Sequence, residues 1–359
     1  MRIVWGFADL PEELNTSFHR VMIPAKRLAE EGRHDCRVFP IWNLINPLDT
    51  KAQDALALAE IVVLERLIIQ EFHPYIQKWR EQGKKVFATF DDAYHLMPPS
   101  GMTSFNTWRG GKNAKIGRSG TGSILNEFRK GLGLVDGFLV PSKTLLADYQ
   151  DYGTGYFVQN YWYNQAWDTL KKDDHSDWIV IGYGGSSAHN ISWRDSNILS
   201  ALAQITREFP KVVVRVNANR DIVQMLEKAQ VRYHSSGWMK FDDWPKVVKQ
   251  YDIGLGIISG NYDLRRSNLK VYENALAGNP WVATQSDPFV GCQGGIFVKN
   301  KSKEWYGALK SLILDLELRR SLGEQGKQWA TQMMSQCVPD YEKVFIGLSN
   351  SKPKVDGYE

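Results

Sequence analysis

The stretch RRSNLKVYENALAGNP, residues 265–280, holds Arg265, Arg266 and Lys270, the polar pair Ser267 and Asn268, and Glu273, in a run that otherwise reads as a buried helix. Ser267 or Asn268 suits an N-cap, the run from Leu269 to Ala277 suits the helix body, and Gly278 followed by Pro280 suits its stop. The arginines therefore stand at a helix N-terminus, where the macrodipole is positive and repels each by roughly a few tenths of a kcal/mol. A bound anion would reverse that balance, because free backbone N–H groups, the dipole and two or three cations would converge on one phosphate. Lys270, one turn in, can point at the same anion. Glu273, three residues further on the same face, is placed to accept hydrogen bonds from a sugar's vicinal hydroxyls. The spacing equally lets Glu273 pair with Lys270 while the arginines stay in water. These residues alone leave both readings open.

A second stretch bears on the choice. IGYGGSSAHN, from residue 181, puts Gly184, Gly185 and Ser186 between a strand and a helix that begins near Ser192. Glycine there lets backbone approach a pyrophosphate closely, although the run falls short of the full dinucleotide fingerprint and no acidic residue ends the next strand at RVNANR. Two anion sites on turns that a parallel sheet sets along one edge suggest a nucleotide diphosphate lying across that edge.

In the first half, TFDDAYH, residues 89–95, ends a strand with Asp91, Asp92 and His95. Successive strand residues point to opposite sides, so the carboxylates are not a paired dyad. One can face the cleft and accept from a sugar or an incoming hydroxyl, with a turn cap or a metal ligand as the alternatives. His95 could orient the acceptor. Arg20, beside His19 on the first helix, can reach toward donor phosphates or lie on a solvated face. Trp108, Arg109, Lys112, Lys115 and Arg118 lie in the glycine-rich segment 97–123, which reads as a long loop. They could engage an anionic or glycan acceptor; nucleic acid also suits such a mixture.

The elements that must position these groups follow from the hydrophobic pattern. Twelve short β-branched runs alternate with amphipathic ones, six in each half, beginning at residues 2, 36, 61, 85, 137 and 155 and again at 178, 211, 231, 252, 279 and 295. That is the signature of α/β folding: two Rossmann-like doubly wound parallel-sheet domains facing a central cleft. Residues 1–165 read as the first domain and 172–335 as the second, with a charged hinge over 162–177 and a C-terminal helix, about 336–359, crossing back to the first. With 359 residues, 43% of them hydrophobic, both domains can bury a core. The 44 basic and 40 acidic side chains nearly cancel, so nothing in the bulk charge calls for nucleic acid, and any anion preference is local. Cys36, Cys292 and Cys337 are odd in number and far apart, which fits a reducing compartment. The N-terminal apolar run is short and soon meets Asp9, Glu12 and Glu13, so it reads as a first strand rather than a signal peptide, and no apolar run reaches the roughly 20 residues of a membrane span. The expected location is cytoplasmic, with peripheral contact at the inner membrane left open.

The runs SGW at 236, YDIGLGIIS at 251 and RRSNLKVYENALAGNPWVAT resemble the C-terminal domain of GT-B glycosyltransferases of the family 4 type. The likeness is to a bacterial subgroup whose motif reads Lys-Ser-x-x-Lys, then Glu, Ala and Gly-x-Pro. Arg266 stands for the first lysine, with Ser267, Lys270, Glu273, Ala277, Gly278 and Pro280 in register. FHRVMIPAKRLAEEG, FDDAYHLMP and VDGFLVPSKTLL followed by VQNYW extend the resemblance through the first half. Many members carry a second glutamate eight residues before the ribose-binding one; here that position is Arg265.

The resemblance implies a retaining hexosyltransferase that moves a sugar from a nucleotide-diphosphate donor, UDP- or GDP-linked, to a glycan, lipid or other hydroxyl acceptor. A sugar-nucleotide epimerase on the same fold, or a catalytically silent nucleotide-sugar binding or scaffolding subunit, are the alternatives. On this reading Arg266 and Lys270 stabilise the departing diphosphate, with Asp92 and His95 on the acceptor side. Gly184, Gly185, Ser186, Ser267, Asn268 and Leu269 line the phosphates, Glu273 takes the ribose, Arg20 assists, and Trp238 in SSGWM lies by the base. No metal or other cofactor is expected, because cations do that work.

Overall fold

The computed structural model describes residues 1–10, 16–99, 102–109, 123–163, 167, 178–185, 187–237 and 239–349. Each apolar run becomes a strand. The first six are β1 (Arg2–Phe7), β2 (Asp35–Pro40), β3 (Ile61–Glu65), β4 (Lys85–Thr89), β5 (Gly137–Val140) and β6 (Gly155–Phe157). The second six are β7 (Ile179–Gly185), β8 (Val212–Ala218), β9 (Tyr233–Ser236), β10 (Ile253–Gly256), β11 (Trp281–Thr284) and β12 (Gly295–Val298). They form two sheets, ordered β2-β1-β3-β4-β5-β6 and β12-β11-β10-β7-β8-β9, and every pairing is parallel. Helices cover both faces of such sheets, which is why β3 is apolar from Ile61 to Leu64 rather than alternating, with only Glu65 at its carboxyl end charged. The strand order reverses at β1/β3 in one sheet and at β7/β10 in the other, and a crevice outside the carboxyl ends is expected at each reversal.

The two sheets share packing. Phe18, from a π-helical turn at Phe18–Met22, stacks on Phe241 with ring centroids 4.3 Å apart. The C-terminal helix Cys337–Ser349 lies on the first domain: Tyr341 and Phe345 meet Trp5 edge-on, and His34 Nε2 sits 2.8 Å from Glu342. Arg27 fastens the crossing, its Nη1 donating to the carbonyls of Met334 at 2.7 Å and Trp162 at 3.0 Å.

Three local expectations are corrected. Part of the supposed loop 97–123 is helical, Met102–Arg109, and Trp108 is buried and stacked on Tyr94 at 3.7 Å, so it is core rather than a sugar platform. An indole that can cover another ring and leave water gains more by burial than by exposure. The remaining cations named there, Lys112, Lys115 and Arg118, lie outside the described residues. The helix read from Leu269 to Ala277 spans Leu269–Leu276, with Gly278 at φ +77°, but neither Ser267 nor Asn268 caps it with its side chain. The sequence around Pro339 predicts an interruption of the C-terminal helical stretch 321–349 there; the break falls instead at residues 335–336, and Pro339 sits in the first turn of the following helix, where its missing N–H costs nothing.

Candidate functional site

The helix Leu269–Leu276 follows β10 and faces the end of β7 across the strand-order reversal. Lys270, the second residue of this helix, donates from Nζ to the Gly184 carbonyl at 2.5 Å and lies 4.8 Å above the Tyr183 ring. Gly184 is required by proximity rather than by backbone conformation: a Cβ there would come within 2.1 Å of the Trp244 ring. Glu273 is buried on the same helix face, and Trp162, at the end of the chain leaving the first domain, donates its indole N–H to Oε1 at 3.2 Å. Burial pushes the Glu273 carboxyl up, against the pull of Trp244, Lys270 and Trp162. Burial pushes the Lys270 ammonium down, opposed by Glu273 and reinforced by Arg266. Both groups thus hold their charge less firmly than in water, and an arriving anion restores it to the lysine.

Arg266 reaches across the cleft. Its Nη1 donates to Asp92 of the first domain and to the Tyr262 hydroxyl at 3.0 Å, while that hydroxyl donates to Asp92 at 2.8 Å. Burial works against the guanidinium charge, yet Asp92, Tyr262 and Asp91 hold its proton more firmly than usual. Asp92 is therefore the carboxylate that turns to the second domain. Asp91 instead accepts from the Thr16 hydroxyl at 3.1 Å, and burial together with the Asp92 charge pushes its carboxyl up. The two carboxylates feel each other although they face different partners.

Arg20 is not on a solvated face. It is fully buried, donating to Thr89 Oγ1 at 3.0 Å, the Val158 carbonyl at 2.7 Å and Asn160 Oδ1 at 3.1 Å. Asn160 in turn donates to Ser267 Oγ at 3.2 Å, so Arg20 reaches the cation loop through an amide rather than directly. Ser186 and Trp238 lie outside the described residues. Leu269 packs against the core shared by the two domains. The Asn268 amide turns away from Lys270 toward Cys292 Sγ, 3.7 Å off, on the wall of a 450 Å³ cavity between the domains.

His95 and Arg265 also sit apart from Lys270 and Glu273. Asp148, on the helix Lys143–Tyr149, receives both: His95 Nε2 lies 3.3 Å from it, and Arg265 grips it with two N–H groups at 2.7 and 3.1 Å. Ser142 donates to the Arg265 carbonyl at 2.8 Å. Arg265 is thus a strut between domains. Arg265→Glu would set a carboxylate against Asp148, and we expect a loss of about 1–3 kcal/mol, read as a lower melting temperature. An unchanged melt would remove the strut.

Trp162, Trp244, Tyr262, His189 and Asp263 were not singled out by sequence. Each owes its position to a contact between segments far apart in the chain, a signal that sequence spacing does not carry. Among the described residues no three His, Cys, Asp or Glu side chains converge as a metal site requires, and no helix is long and apolar enough to cross a membrane.

No protein-family model matches the chain, and no curated protein matches it in sequence. Solved structures do. HepE of Anabaena, in complex with UDP and glucose, superposes with TM-score 0.63 at 14% identity, over 98% of this chain and 100% of its own. A trehalose-6-phosphate structure from E. coli bound with UDP-2-fluoro glucose gives 0.62 at 10% identity, over 99% and 100%. TarM gives 0.52 at 10% identity, over 81% of this chain and 55% of its own. At such low identity the likeness speaks to architecture, and the architecture is GT-B: two parallel six-stranded α/β domains closing on a cleft.

Proposed function

We propose that this protein is a glycosyltransferase that transfers a sugar, with retention of configuration, from a nucleotide-diphosphate donor to a hydroxyl on a glycan, lipid or other acceptor. The observation that carries this reading is the meeting of Lys270, Glu273 and the Gly184 turn at the β7/β10 reversal of a GT-B fold. A donor lying there places its diphosphate between the Gly184–Gly185 turn and the N-terminal end of the helix Leu269–Leu276, with its ribose at Glu273. Neighbours crystallised with UDP and glucose, or with UDP-2-fluoro glucose, support such a ligand.

The chemistry follows from charge. As the glycosidic bond breaks, negative charge grows on the diphosphate. Lys270 exchanges the Gly184 carbonyl for a phosphate oxygen, and Arg266 shares itself between Asp92 and the phosphates. Cations fixed before the reaction need no reorganisation when the charge appears, which is where such groups contribute most. Tyr183, Trp193, Tyr251 and Trp162, all fully buried, leave little water to screen them. The motif around Arg266, which resembles that of the family 4 type, supports retention. Arg266 and Lys270 take the role that a metal has in other transferases.

The test is a panel of nucleotide sugars, following release of free diphosphate with and without hydroxyl acceptors and with a chelator present. Acceptor-dependent release that survives chelation is expected. Release that ignores the acceptor would point to hydrolysis or epimerisation, and binding without release to a silent subunit.

A further inference from the structure

Beside Arg266 and Lys270 lies a second buried cluster. His189 ends the helical turn Ser187–His189 that follows β7; Asp263 ends the short helix Gly260–Asp263 that leads into the cation loop. Their side chains are 7% and 2% exposed, and His189 Nδ1 stands 3.4 Å from Asp263 Oδ1. Neither atom has another hydrogen-bond partner among the described residues. The other Asp263 oxygen accepts from the fully buried Ser192 hydroxyl, whose oxygen takes the Ser259 N–H at 2.8 Å. One carboxylate thereby joins the glycine turn to the loop that carries the cations.

A buried carboxylate persists only when its charge is met. Burial works against the Asp263 charge, but His189, Ser192 and Arg266 hold its carboxyl below the usual range. His189 is pushed down to about 4, first by burial and then by the Lys270 ammonium, with Arg266 adding to this and Asp263 opposing. Across the helix Asn190–Asp195, Asp221 is engaged by the Asn190 amide at 2.7 Å, and the Tyr183 hydroxyl on β7 completes the polar surroundings. These surroundings keep His189 neutral, and the cations supply the countercharge to Asp263. A diphosphate drawn to Lys270 and Arg266 offsets the field that keeps a proton off His189, and it competes with Asp263 for those cations. Both changes favour a proton on the imidazole.

We propose that His189 and Asp263 are positioning residues that clamp the glycine turn onto the cation loop when a nucleotide diphosphate binds, His189 gaining a proton from solvent as the pair closes. The proton converts a loose contact into a charge-assisted hydrogen bond. The clamp rests on the donor reading of the site and adds to it a proton-linked closure.

Calorimetric titration of UDP and of GDP at pH 5.5, in two buffers of different ionisation heat, counts the protons taken up. Comparing wild type with His189→Asn cancels the protons that belong to the nucleotide, Glu273 and Lys270; asparagine keeps an amide donor near the Nδ1 position. Offsetting the cation field raises the His189 proton affinity while burial still opposes it, and wild type should take up about half a proton more than the variant, or above. The ratio of wild-type to variant affinity should rise about two- to tenfold between pH 7.5 and pH 5.5, since a group whose bound-state proton affinity is raised strengthens binding as pH falls. Asp263→Asn should erase the same difference, and His189→Gln replaces the asparagine variant if thermal melting shows that one to be unfolded. Equal proton counts in wild type and folded variants would overturn the clamp and leave the nucleotide site standing. Absence of binding by either nucleotide would overturn the donor reading and the clamp together.

Discussion

Lys270→Ala is expected to lower kcat by about 10²- to 10³-fold while weakening nucleotide-sugar binding by no more than about tenfold. The asymmetry comes from where the charge is needed. On the proposed donor reading, Arg266 and backbone N–H groups would already meet the diphosphate in the ground state, so one ammonium more changes affinity modestly. In the transition state the leaving group acquires further negative charge inside a cleft walled by Tyr183 and Trp162, where a fixed cation acts with little screening. Steady-state kinetics with whichever donor turns over, alongside direct binding of its nucleotide, separates the two quantities. Equal losses in both would contradict the role and make Lys270 a ground-state anchor.

Glu273→Ala should weaken donor binding by roughly 1–3 kcal/mol, the scale for buried hydroxyls that lose their acceptor. Trp162 would lose its partner as well, so Glu273→Gln is the gentler comparison, keeping an oxygen for the indole N–H at 3.2 Å. The pH dependence gives an independent reading. Glu273 titrates above the ordinary carboxylate range in the free protein because of burial, and ribose hydroxyls favour its ionised form. Donor affinity should therefore climb as pH rises through that elevated range. Lys270 titrates below the ordinary ammonium range because of burial, and phosphate favours its charged form, so affinity should fall again as pH rises further. The bell should be narrower than isolated glutamate and lysine would give, and its acid limb should vanish in Glu273→Gln. An acid limb that survives removes Glu273 from the site. Stability carries the opposite sign on this group: a carboxyl raised above its unfolded value costs folding free energy as pH climbs from the ordinary range through the raised one.

Much of the fold is legible in the sequence because its signal is local. A run such as IVVLE or KVVVRVN can be buried on both faces only as a covered parallel strand, so strand positions follow from apolar periodicity, and β7–turn–helix and β10–loop–helix order follows from the alternation. Gly278 and Pro280 end their helix by backbone sterics that no distant contact is needed to set. The pairing of Lys270 with Glu273 is legible for the same reason, since three-residue spacing sets both on one helix face, whereas Arg266 precedes the helix and takes its place from Asp92 and Tyr262.

Tertiary structure alone decided which partner each polar group takes. Asn268 looked like a cap and its amide faces Cys292; His95 looked like an acceptor-orienting residue and rests on Asp148, which Arg265 also grips; Trp108 looked like a glycan contact and stacks on Tyr94. Arg265, odd against the family 4 motif that the sequence resembles, proved to be an interdomain strut, and Trp162, His189 and Asp263 entered the candidate site from segments remote in the chain. The reason is range: periodicity, caps and turn chemistry act over a few residues, so sequence spacing encodes them. Hydrogen bonds and ion pairs between the domains form only once both sheets are built and set against each other, and the free energy that selects among partners, the desolvation of each buried group, does not exist until that packing does.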